Sequence, residues 1–120
     1  MQEALARQLS VISYNRRKYI EGEGSSVNQV VAITGGASGI GRAIACAFAK
    51  AGYKVSVADI HKEAGFEVIR MIRELGGQAM YVRCDISQEA EVKKWLALTN
   101  QDLGEVRILI NNAGISRNGQ

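Results

Sequence analysis

Proline is absent from all 120 residues, where average usage of about 5% would place roughly six. A chain built mostly of strands and helices has this composition, and so does one that lacks the loop-rich part of its fold. Cysteine is scarce: Cys46 falls in a predicted helix and Cys84 at a predicted strand end. With no metal-ligand spacing between them, they argue against a disulfide framework or a thiolate metal centre and read as reduced core thiols of a cytosol-like compartment. His61 is the single histidine. A metal role needs partners that it lacks, so it is expected as an exposed loop residue. No stretch approaches the roughly 18 apolar residues of a membrane span. Charge of either sign is also mild, at net +3, with four basic and three acidic residues in 1–28 and eleven and nine in 29–120. Neither part is basic enough to imply nucleic acid.

What is present is ordinary for a soluble globular domain, with 47% hydrophobic and 22% charged residues, and one segment stands out. Val30-Val31-Ala32-Ile33 is a short apolar run of strand type, followed by Thr34-Gly35-Gly36-Ala37-Ser38-Gly39-Ile40-Gly41 and then by the alanine-rich, helix-favouring run Arg42–Lys50. A glycine-rich turn between strand and helix brings backbone close to a pyrophosphate, and the helix N-terminus offers unpaired N–H groups and a positive dipole end. Gly35 suits the tight turn. Gly39 and Gly41 leave room where a Cβ would block phosphates or the helix–strand contact.

From Gln29 onward strand and helix patterns alternate, which predicts an α/β fold with a parallel sheet. Strands are expected at Val30–Ile33, Lys54–Asp59, Ala79–Cys84 and Val106–Asn111. Helices are expected at Ile40–Ala51, ended by Gly52; at Lys62–Leu75, stopped by Gly76-Gly77; and from an N-cap at Ser87 to about Thr99. The second helix carries a stripe of Phe66, Ile69, Ile72 and Leu75 widened by Val68 and Met71, and the third a face of Val92, Trp95, Leu96 and Thr99. Right-handed crossovers lay the strands out as 3-2-1-4, the first half of a Rossmann-type doubly wound sheet.

Residues 1–28 differ in kind. Leu5, Leu9 and Ile12 sit at helical spacing before the basic cluster Arg16-Arg17-Lys18 and a loop-like Glu21–Ser26. An amphipathic organelle-targeting segment would be acid-poor, so Glu3, Glu21 and Glu23 weigh against it, and a solvated extension or packing helix is the default. The organisation is therefore an N-terminal extension, 1–28, and a doubly wound domain, 29–120, which the resemblance drawn below makes a partial NAD(P)-binding domain.

Asp59 ends the second strand 18 positions after Gly41. A carboxylate there accepts from both hydroxyls of an adenosine ribose and repels a 2′-phosphate, which favours NAD over NADP. The plainer reading is a cap on the turn into the next helix. Asp85-Ile86 follows the third strand, beside the adenine pocket in a sheet of this order. There Asp85 would accept from the adenine amino group and Ile86 would cover the ring, while Asp85 as a cap on the third helix is equally compatible.

With Asn111-Asn112-Ala113-Gly114 after the fourth strand, these segments together resemble the short-chain dehydrogenase/reductase family over residues 29–120. Its 3-ketoacyl carrier-protein reductases, glucose dehydrogenases and hydroxysteroid dehydrogenases share such motifs. The resemblance implies pyrophosphate contact by the turn from Gly35 to Gly41, with Ser38, Gly39 and Ile40 among the cofactor-binding residues. It also implies ribose contact by Asp59, adenine contact by Asp85 and Ile86, and a cofactor or sheet-stabilising contact from Asn112, with Asn111 structural. Members preferring NADP place a basic residue where Ser38 or Ile60 stands here, and Arg42 is a poor substitute, so the cofactor expected is NAD. A methyltransferase-type sheet also binds adenosine after its first strand, but the Asn-Asn-Ala-Gly segment and the glycine spacing do not suit it.

The reduced thiols point to a cytoplasmic location, and the resemblance implies a homo-oligomer at full length and the activity of the family, hydride transfer between NAD(P) and a small alcohol or carbonyl compound. Its catalytic serine and Tyr-x-x-x-Lys pair follow the fifth strand, beyond Gln120, so the expectation is a dinucleotide-binding fragment without catalytic residues. The alternatives are a non-catalytic nucleotide-binding or regulatory fragment, and a degenerate product. Tyr14 and Lys18 have the Tyr-x-x-x-Lys spacing but precede the first strand, and are rejected as a catalytic pair. Ile108–Ile110 is expected to leave an open sheet edge, predicting a marginally stable chain prone to association. Ile115-Ser116-Arg117-Asn118 is too short and too widely shared to assign a substrate.

Overall fold

The structure, a computed structural model, describes residues 12–14 and 28–112. One five-stranded sheet runs through it, built from β1 (Ile12–Tyr14), β2 (Val30–Thr34), β3 (Lys54–Asp59), β4 (Ala79–Arg83) and β5 (Val106–Asn111), in the order β1-β5-β2-β3-β4. The four strands from β2 onward are parallel and reproduce the expected 3-2-1-4 arrangement. Three helices connect them: α1 (Gly39–Lys50), α2 (Lys62–Glu74) and α3 (Glu89–Asp102).

The central strands explain themselves. Every residue of β2 is buried, as are five of the six in β3, because helices cover both faces of a parallel sheet and leave no polar side to alternate. Stepping from β2 to β3 to β4 with right-handed crossovers puts α1 and α2 on one face. Reversing direction to reach β5 puts α3 on the other. Val31, Ile33, Val55, Val57, Ile108 and Ile110 accordingly pack with Ala45, Ala49, Val68 and Ile72 of the first two helices. Ala32 and Ala58 pack with Val92 and Trp95 of α3. Among the described residues no helix is long and apolar enough to cross a membrane.

Several expectations need correction. The edge of β5 is not open: β1 pairs antiparallel with it, Ile12 opposite Ile110 and Tyr14 opposite Ile108. Ile12 is thus in a strand, not a helix, and the backbone groups that made the edge hazardous have partners. Tyr14 lies in that strand; Lys18, Leu5, Leu9, the Arg16-Arg17 pair and residues 113–118 lie outside the described residues. The stripe on α2 also shifts. Its buried residues are Gly65, Val68, Ile69 and Ile72, while Phe66 and Leu75 are 58% and 50% exposed. A spacing of three falls 60° short of a full helical turn at each step, so the two ends of the run rotate out of the core. Finally, Gln88 rather than Ser87 is the N-cap residue of α3, without a side-chain cap bond.

Candidate functional site

A cavity of about 480 Å³ opens at the carboxyl ends of β5, β2, β3 and β4, a size within the range of small-molecule sites. In an open parallel sheet this is where crossovers leaving in opposite directions part the helices and create a crevice. Eight of the nine residues expected to bind cofactor line it: Gly35, Ser38, Gly39, Ile40, Asp59, Asp85, Ile86 and Asn112. The ninth, Gly41, shapes the site from beneath.

The turn between β2 and α1 has the features that close backbone approach requires. Gly35 and Gly39 both hold positive φ, 67° and 59°, where a Cβ is strained. At Gly41 the constraint is space: a Cβ would sit 1.9 Å from the Gly35 carbonyl oxygen and 2.6 Å from Asn112 Nδ2. The same Asn112 amide donates to the Gly35 oxygen at 3.0 Å, tying the turn to the end of β5. Nearby, Thr34 Oγ1 donates to Asn111 Oδ1 at 2.8 Å, and Asn111 is buried, so it is structural, as expected. Helix α1 begins without an acidic residue in its first turn and without a side-chain cap, leaving its N–H groups and dipole uncompensated beside the cavity.

Asp59 is the buried charged group of the wall. Its carboxylate is 8% exposed and is held by three donors. Oδ2 accepts from the Ala37 backbone N–H at 3.1 Å. Oδ1 accepts from the His61 backbone N–H and from His61 Nδ1, both at 2.9 Å. The plainer reading of Asp59 is thus realised through one oxygen, which closes the turn into α2, while the other oxygen reaches 22 residues back to the glycine turn. Beneath it, Tyr81 donates to the Asp59 carbonyl at 2.8 Å. Burial, then the Asp59 charge, raise the Tyr81 phenol above its ordinary range. Gly65 makes this approach possible, since a Cβ there would meet the Tyr81 ring at 2.3 Å.

Across the cavity, Asp85 closes a turn of its own. Its Oδ1 accepts from the Ser87 backbone N–H at 3.0 Å and from Ser87 Oγ at 2.7 Å, and these bonds hold its carboxyl below the usual range. It therefore caps the turn ahead of α3 rather than the helix itself. Glu91 reaches back from the first turn of α3 to accept from the Asp85 N–H at 2.8 Å.

Four lining residues were not among those expected: Ala58, Ile60, His61 and Cys84. Burial pushes the Cys84 thiol up to about 11, so at neutral pH it is an uncharged wall. His61 is exposed, as the sequence implied, but it is also the N-cap residue of α2 and is bonded to Asp59. An aspartate followed two residues later by a histidine carries that signal, because aspartate side chains commonly accept from the backbone two positions on. Arg42 is turned from the cavity toward Met71 Sδ, 3.7 Å away. Among the described residues no cluster of three potential metal ligands exists.

The sequence model of the family described as "short chain dehydrogenase" matches residues 29–120. The 7alpha-hydroxysteroid dehydrogenase of Escherichia coli K12 is 48% identical over 82 residues, 68% of this chain and 32% of that protein. The crystal structure of an Escherichia coli hydroxysteroid dehydrogenase superposes with a TM-score of 0.68 at 42% identity, over 70% of this chain and 36% of that one. A 7alpha-hydroxysteroid dehydrogenase complexed with NADH and 7-oxo glycochenodeoxycholic acid superposes at 0.66 and 41% identity, over 68% and 32%. The chain spans about a third of the length of the curated relatives it matches. Sheet order, glycine turn and these similarities agree: the chain belongs to the short-chain dehydrogenase family.

Proposed function

We propose that this chain binds the adenosine and pyrophosphate of NAD, as the dinucleotide-binding part of an oxidoreductase that interconverts a small alcohol and its carbonyl compound. The observation that carries the reading is the buried Asp59 carboxylate, fixed by Ala37 N–H across from the acid-free start of α1. The residues fit the group on structural grounds: a Cβ at Gly41 would fill the space beneath the turn, and the turn's own conformation requires glycine at 35 and 39. Gly35, Ser38, Gly39 and Ile40 would hold the pyrophosphate against the helix N-terminus. Asp59 would accept from the ribose, and Asp85 and Ile86 would face the adenine. Bound NAD supplies the hydride acceptor of the reaction. What these residues contribute is position and charge: an acceptor for hydroxyl donors, a like charge against a 2′-phosphate, and a helix start with no acidic residue in its first turn to oppose the pyrophosphate. The related proteins named for steroid and bile-acid chemistry support a small organic alcohol as substrate class.

Calorimetric titration with NAD and NADP tests this. Saturable binding that favours NAD, weakened at least about tenfold by Asp59→Ala, is expected, since a charged hydrogen bond of roughly 1.5–3 kcal/mol is lost. Absence of saturable binding, or binding indifferent to Asp59→Ala, overturns it.

A further inference from the structure

We infer that His61 is a specificity-determining residue for the adenosine ribose, making the preference for NAD over NADP depend on imidazole protonation. The inference rests on the assignment of this cavity to NAD. Both Asp59 oxygens are acceptors, so the 2.9 Å contact from His61 Nδ1 to Oδ1 requires that Nδ1 carry the hydrogen. That fixes the tautomer of the neutral ring and leaves Nε2 as a lone-pair acceptor, suited to a ribose hydroxyl. Protonation reverses it. Nε2 then becomes a donor, and the positive ring beside Asp59 cancels the carboxylate charge that excludes a 2′-phosphate.

The count of acceptor sites on Asp59 points the same way. Oδ1 already takes two hydrogen bonds, from the His61 backbone and ring, and Oδ2 takes one from Ala37. A carboxylate oxygen offers about two lone-pair sites, so one site remains on Oδ2 for one ribose hydroxyl. The second hydroxyl is met either by Nε2 or by displacement of the ring from Oδ1. Both routes involve His61, whose 70% exposed side chain forms part of the cavity wall.

The charged and titratable groups around the ring are few. Asp59 faces it from β3, and Cys84 and Asp85 line the same cavity beyond β4. Lys62 and Glu63, in the first turn of α2, share with it a shallow groove that also includes Ser38. The turn from Gly35 to Gly41 contributes no titratable side chain, and on α1 Arg42 is occupied with Met71. The ring itself sits at the N-terminal, positive end of the α2 dipole. The same dipole end would favour a 2′-phosphate once the ring is charged.

The experiment is calorimetric titration of the chain and of His61→Gln with NAD and NADP at about pH 8 and about pH 5.5, the interval over which histidine changes charge. The 2′-phosphate gains a proton of its own near pH 6, and His61→Gln isolates that contribution because Gln does not titrate. The expected result is that the ratio of NADP to NAD dissociation constants falls roughly fivefold further on acidification in the native chain than in the variant, the scale of an exposed charge pair. Equal pH dependence in the two chains, with NAD still bound and still sensitive to Asp59→Ala, overturns the role of His61 while leaving the cofactor assignment intact. Absence of binding by either nucleotide overturns both.

Discussion

Where α1 and α2 cover the sheet, the buried side chains in contact are aliphatic: Val31, Ile33, Val55 and Val57 below, Ala45, Ala49, Val68 and Ile72 above. Where α3 covers the opposite face, a closed polar ring lies inside the apolar contact. Trp95 Nε1 donates to Ser56 Oγ at 2.8 Å, Ser56 and Thr99 hydroxyls meet at 2.7 Å, and Thr99 Oγ1 donates to the Trp95 carbonyl at 2.9 Å. The Thr99 hydrogen is committed to that carbonyl, so Ser56 is the donor to Thr99, and every hydrogen in the ring has one place to go. The first face is specified by volume, which tolerates exchange among similar side chains. The second is specified by direction as well, and a direction is lost whole when one member is removed.

The largest test of this contrast is Trp95→Ala. It deletes the largest fully buried side chain and one ring donor, and is expected to cost about 3–5 kcal/mol in urea denaturation. Ser56→Ala removes only an oxygen but leaves the Trp95 N–H buried without an acceptor, so about 1–3 kcal/mol is expected. Ile72→Val, on the face of α1 and α2, removes more volume than Ser56→Ala yet should cost only about 0.5–1.5 kcal/mol. If Ile72→Val proves the more damaging of the two, the contrast between the faces fails.

The smallest effect concerns acid. The folded state holds the Asp85 carboxyl below its usual range, first through the Ser87 hydroxyl and then its backbone N–H. Its contribution to stability is therefore present above the ordinary carboxylate range and is lost as pH falls through the lowered value. Relative to Asp85→Asn, the native chain should show a slightly higher Tm at neutral pH, and the difference should vanish on acidification. A difference that persists in acid would place the stabilisation in shape rather than charge.

Much of this was legible in the residues themselves. The parallel strand runs, the glycine turn and the helical face of Val92, Trp95 and Thr99 are local patterns, and local periodicity is what hydrophobic spacing reports. The α2 stripe was half legible. Ile69 and Ile72 were found, but Phe66 and Leu75 belong to the same three-residue recurrence, and only packing showed where the 60° drift carries them out of the core. At the site, eight of the twelve lining residues are legible because they follow strand ends, where a doubly wound sheet gathers them. From the sequence His61 reads as an exposed loop residue, because its exposure, and not its partner, is what a lone histidine in a turn suggests.

By itself, the sequence determined the order of elements, the parallel sheet and the conformational demand for glycine at 35, all set by short-range sterics and periodicity, whereas the positive φ of Gly39 appeared only in the folded turn. The tertiary structure decided the rest. It paired Asp59 with Ala37, Trp95 with Ser56 and Gly41 with the Gly35 carbonyl, and it laid residues 12–14 along the edge of β5. Apart from the packing of Gly41, each of these joins residues more than twenty positions apart. No local pattern encodes such a partner, because distance along the chain is erased only when the strands align.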